Sequence, residues 1–126
     1  SPVPNVHSYT EAEEIASQEL IQLFDSKFKH HLDRYKYSSR YEVDPLEHQE
    51  ECKAILENLD AEIHPNPWIF GKQVSLLDIS ILPFIRQYKI ANPDWFFAQN
   101  FTKVIALLNY FENSDLFIQA MQKFEL

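Results

Sequence analysis

A chain of 126 residues, 45% hydrophobic and 14% aromatic, has the length of one domain and enough apolar surface to bury a core, which excludes a disordered tail. Eleven basic against nineteen acidic side chains leave a formal net charge of -8, which repels phosphate backbones and anionic lipid, so neither nucleic acid nor a membrane is an expected partner. A single glycine, Gly71, excludes phosphate-cradling loops and dinucleotide fingerprints, and a single cysteine, Cys52, excludes an internal disulfide and any CxxC motif.

Ser1-Pro2-Val3-Pro4-Asn5 has the composition of an interdomain linker or a cleaved terminus, so residues 1–7 read as a linker and 8–126 as the folded domain. Ser8-Tyr9-Thr10-Glu11 has capping-box spacing, with Ser8 at the N-cap, and Glu11, Glu13 and Glu14 put negative charge in the first turn. Ala16, Leu20, Leu23, Phe24, Phe28, His31, Leu32 and Tyr35 then recur every three or four residues. That spacing predicts one long helix from about Tyr9 to about Tyr37.

Asp44-Pro45-Leu46-Glu47 starts a second helix, with a carboxylate cap and a proline where a missing N–H costs nothing. Leu46, Cys52, Ile55, Leu56, Leu59 and Ile63 mark its expected buried face, and Pro65 and Pro67 end it. After the connector Trp68 to Val74, with its lone glycine at a turn, Ser75-Leu76-Leu77-Asp78 opens a third helix through a second capping box. Val74 and Ile79 have the spacing of a hydrophobic staple. Leu76, Leu77, Ile79, Ile81, Leu82, Phe84 and Ile85 make this helix apolar nearly all round, so it belongs at the centre, and Pro83 is expected to kink it. Past the aromatic cluster Trp95-Phe96-Phe97, a fourth helix is read from Val104, Leu107, Leu108 and Phe111, and a fifth from Phe117, Ala120, Met121 and Phe124. The expected fold is all-α, a bundle of about five helices with a buried, N-capped central helix.

No run approaches the roughly 18 to 20 apolar residues of a membrane span, and a cytoplasmic location is expected. His48 and Cys52, four apart beside Glu51, are too few ligands for a closed zinc site, and Cys52 reads as a small buried hydrophobe. The carboxylate pairs sit in first turns, where the helix dipole accounts for them, and no nucleophile motif accompanies the five histidines. No catalytic, cofactor-binding or metal-ligating residue is therefore assigned. Lys27 to Tyr41 gathers five of the eleven cations, two histidines and three tyrosines. It reads either as a solvated basic helix end or as a surface for an anionic ligand or acidic partner.

The stretch from Gly71 to Tyr88, a glycine, a short spacer and then Ser75-x-x-Asp78 capping an apolar helix, resembles the C-terminal helical domain of glutathione S-transferases. Phe28-Lys29 to Tyr41, Pro83 to Gln87, Asp94-Trp95-Phe96 and Ser114 to Phe117 are similar to a bacterial group of glutathione S-transferase-like proteins, and the resemblance runs from about Tyr9 to Phe124. It implies that Ser75 and Asp78 cap the core helix, and that the first helix lines a co-substrate pocket and joins a homodimer interface. It further implies a thioredoxin-like N-terminal domain as partner, supplying most of the site for the co-substrate glutathione. That domain has no counterpart in these residues. The implied role is the second-substrate side of an enzyme that transfers glutathione to electrophiles or reduces thiol-linked substrates, inactive on its own. Arg34, Tyr35, Tyr37 and Arg86 are the candidates for pocket or interdomain contacts, because cations and tyrosines suit an anionic thiol peptide and an aromatic partner. The alternative is a stand-alone helical protein–protein interaction module.

Overall fold

The structure, a computed structural model, describes the backbone of residues 7–124 and the side chains of residues 7–120. The first four residues of the expected linker and the two that follow lie outside it, as do the side chains of Met121 and Phe124. The helices are α1 (Glu11–Leu23), α2 (Lys29–Lys36), α3 (Ser38–Tyr41), α4 (Pro45–Glu62), α5 (Leu76–Ala91), α6 (Pro93–Phe97), α7 (Thr102–Glu112) and α8 (Asp115–Phe124). Among the described residues the only β pairing is an isolated bridge between Trp68 and Gly71.

The long first helix is present, but its middle is a π turn, Phe24–Phe28, in which the Lys29 N–H reaches back five residues to the Phe24 carbonyl. The sequence explains the insertion. Phe24, Phe28 and Leu32 are all buried and spaced by four, and on an unbroken α-helix each such step drifts about 40° around the axis. One wider turn takes that drift back and keeps all three on the core. The cap also differs from the sequence expectation: Thr10, not Ser8, accepts from the Glu13 N–H, and Glu13 accepts from the Thr10 N–H in return. Both candidate boxes hold a hydroxyl three residues before a glutamate, and spacing alone does not choose between them.

On α4, Asp44 accepts from the Leu46 N–H as its cap, and Cys52, Ile55, Leu56, Leu59 and Ile63 are buried. Leu46 is 61% exposed and leaves the expected core face, whose place is taken by the polar pair His48 and Gln49. Helix α5 crosses the domain unbroken through Pro83. Leu77, Ile81, Leu82, Ile85 and Tyr88 form its buried face, against Phe24, Phe28 and Leu32 on one side and Val104, Leu107 and Leu108 on the other. Its burial is not all-round, for Leu76, Ile79 and Ile90 are exposed.

Helix α7 has no side-chain cap of its own. Asp60 of α4 provides one from another element, its Oδ1 accepting from the Lys103 and Val104 N–H groups at 2.8 Å each. Arg86 and Lys89 of α5 both meet Glu112 of α7, at 3.0 and 2.6 Å. In the connector the Asn66-Pro67 peptide is cis, and Gly71 has φ +131°, a conformation that L side chains reach only under strain.

Candidate site at the capped start of the central helix

The first turn of α5 is wired to two other segments, the connector and the stretch ahead of α1. Asp78 Oδ2 accepts from the Ser75 N–H and hydroxyl at 2.8 and 2.7 Å, and Ser75 Oγ accepts from the Asp78 N–H at 3.2 Å. The second oxygen, Oδ1, accepts from the Ile69 N–H at 3.1 Å, which fixes the connector to the helix. Burial pushes the Asp78 carboxyl above the usual range, opposed by the hydrogen bonds from Ser75 and Ile69. Tyr9, ahead of α1, accepts from the Leu77 N–H through its hydroxyl at 2.8 Å and so satisfies one of the open donors of α5. The His7 ring stacks on Phe70 at 5.1 Å and its Nε2 lies 2.8 Å from Glu13, while the His7 backbone N–H donates to the Val74 carbonyl. Ahead of Tyr9, then, residue 7 is already packed on the domain.

Beside this knot lies a groove of about 290 Å3, walled by Ala16 and Leu20 of α1, Ile63 at the end of α4, Ile69 and Phe70 of the connector and Leu77 of α5, with Glu62 and His64 at its rim. Three large apolar side chains stand uncovered on the neighbouring turns: Ile15 (56% exposed), Leu76 (55%) and Ile79 (39%). A concave apolar wall and uncovered aliphatics on the same helices are the kind of surface that accepts an apolar ligand or a second domain.

Of the residues nominated from sequence, Ser75 and Asp78 sit at this place. Arg34, Tyr35, Tyr37 and Arg86 do not line the groove. The first three lie by the start of α4, a helix-length of about 25 Å from its end. Arg34 lies over the Tyr41 ring at 4.4 Å and donates to the His30 carbonyl, while Lys36 and Arg40 both lie over Tyr37. Each of these cations thus already has an internal acceptor or ring. Tyr35 accepts from the Gln49 amide at 2.9 Å in the α2–α4 seam, and Arg86 is held between Glu112 and the Phe117 ring.

His48 and Cys52 share a face of α4 but diverge in partners: His48 meets His31, and Cys52 points its thiol at the Phe28 carbonyl, 3.9 Å away. Burial pushes the Cys52 thiol up to about 12, which keeps it protonated and unreactive at neutral pH. Among the described residues no group of three or more His, Cys, Asp or Glu side chains is placed to hold a metal ion, and no helix is long and apolar enough to cross a membrane. Sequence reasoning missed Tyr9, Asp60 and the His31–His48 pair, since each acts across a separation that no local pattern encodes.

The described residues form an all-α bundle built around a hydroxyl-capped, carboxylate-braced central helix, with an apolar groove at the capped end. A family model described as the glutathione S-transferase C-terminal domain matches residues 18–112, and the chain belongs to that family. Comparison with curated proteins and with solved structures each returns no match.

Proposed function

We propose that the chain forms the second-substrate side of a glutathione S-transferase-like enzyme and does not catalyse by itself. The observation that carries this reading is the apolar groove beside α5, together with the uncovered Ile15, Leu76 and Ile79 elsewhere on α1 and α5. In this reading a thioredoxin-like domain docks over that face, binds glutathione and stabilises its thiolate. The groove then holds the apolar part of an electrophile or of a thiol-linked substrate against it. A thiolate is the attacking species, so a lowered thiol pKa raises the rate at neutral pH, and that lowering falls to the partner domain. The parent works as a cytoplasmic homodimer of bacterial type in the same reading. The part of this chain is to bind, orient and exclude water.

The test is glutathione binding and conjugation or thiol reduction by this 126-residue chain, alone and with its encoded thioredoxin-like segment restored. Activity confined to the longer protein supports the reading. Inactivity of both transfers the role to a helical interaction module.

A further inference from the structure

Three imidazoles gather where α2 meets α4. His31 Nδ1 and His48 Nδ1 lie 2.8 Å apart, and the His30 ring stands edge-on to His31 with centroids 4.9 Å apart. His48 is buried and His31 half-buried. A hydrogen bond between two ring nitrogens needs a proton on one and a lone pair on the other. The contact therefore exists in the neutral pair, or in the pair carrying one extra proton. It cannot exist between two imidazolium rings, which present two donors and no acceptor.

We propose that the His31–His48 pair is an acid-released latch: when both rings are protonated, α2 and α4 part at this point and their seam opens locally. The second charge is unwelcome for reasons that all lie in the surroundings. Burial is the first cause holding the His31 imidazole below its ordinary pKa, and the neighbouring His30 is the next, with His48 and with Lys27 of the π turn acting in the same direction. Glu51 of α4 opposes them. From α5 the nearby group is the Tyr88 hydroxyl, engaged as donor to the Gln49 carbonyl at 2.7 Å. Arg40 and Tyr41 of α3 are turned onto Tyr37 and Arg34. Beneath the latch lie Phe28, Leu32 and Cys52, so its release uncovers the edge of the core.

The direction of the pH effect follows. The unfolded chain takes up protons at its histidines near pH 6.5, while in the folded chain the His31 imidazole resists protonation to lower pH. The latch thus stabilises the fold fully above about pH 6.5 and progressively less as the pH falls below it. Each pH unit over which the folded chain holds one proton fewer raises the unfolding equilibrium constant about tenfold.

Urea unfolding of the intact chain between pH 7.5 and 5 is compared with that of the double variant His31→Gln, His48→Gln, whose amides hydrogen-bond but do not titrate. The expected result is a loss of stability on acidification that is about tenfold smaller, in equilibrium constant, in the variant. Parallel pH profiles would overturn the proposal. Should the variant fail to fold at pH 7.5, imidazole nitrogen NMR of the native chain decides. Opposite tautomers at the two Nδ1 atoms and two well-separated protonation steps support the latch. Independent titration of both rings near pH 6.5 rejects it.

Discussion

Asp78 braces the architecture because its two oxygens serve two segments at once. It closes the α5 cap through Ser75 and holds the connector through the Ile69 N–H, in a place where no solvent substitutes. Asp78→Ala leaves the buried Ser75 N–H and the partly buried Ile69 N–H without acceptors. The expected destabilisation is about 3 kcal/mol, from the desolvation cost of orphaned donors together with the lost cap. Urea titration measures it, and a loss below about 1 kcal/mol would show that the cap is replaceable. Half of this role is written locally: a serine three residues ahead of an aspartate names the box. The Ile69 contact, nine residues away in sequence, is set by how the connector folds back, and no spacing rule announces it. The same holds for Tyr9, which reads as the first residue of a helix and acts as an acceptor 68 residues away.

At the scale of elements, the helices themselves were legible because their apolar periodicity, proline starts and cap residues agree with one another. Their exact register was less so. Leu46 falls on the apolar stripe of α4 by count, yet it stands exposed on the first turn, ahead of the point where α2 covers the helix. The π turn was invisible as such, although the four-residue spacing of Phe24, Phe28 and Leu32 is its trace. A π turn is a helix carrying one residue more than the α geometry needs. Deleting Ser26, whose hydroxyl merely returns to the Gln22 carbonyl, converts the segment to α-helix with its flanks in register. Circular dichroism and melting of this variant are expected to stay far closer to the native chain than those of a Gln18 deletion, which rotates every residue before it by about 100°. Helix α7 tests a dependence between elements. Asp60→Ala removes the acceptor for two of its first N–H groups and is expected to cost about 1–2 kcal/mol. Amide exchange should rise at Lys103 and Val104, and equal rates in both proteins would remove Asp60 from this role.

For the whole molecule, composition and helix count specified an all-α bundle, and the family match agrees with it. The candidate site was legible only at Ser75 and Asp78. Its groove is assembled from α1, the end of α4, the connector and α5, and the residues that shape it look like ordinary core positions in the sequence. The residues singled out for their chemistry, Arg34, Tyr37 and Arg86, turned out to satisfy one another or their neighbours. The uncovered aliphatics permit a separation of stability from docking. Leu76→Ser with Ile79→Ser is expected to leave the domain folded at a cost of about 2 kcal/mol, since each side chain is roughly half covered, while weakening assembly with a thioredoxin-like domain. Unfolding curves and activity of the two-domain protein measure the two effects, and undiminished activity would place the docking face elsewhere. The tie between the His7–Tyr9 segment and the start of α5 has a mechanical meaning as well. A force transmitted through the chain ahead of His7 does not peel α1 away from its open end. It is delivered to Val74 and Leu77, at the capped start of the central helix.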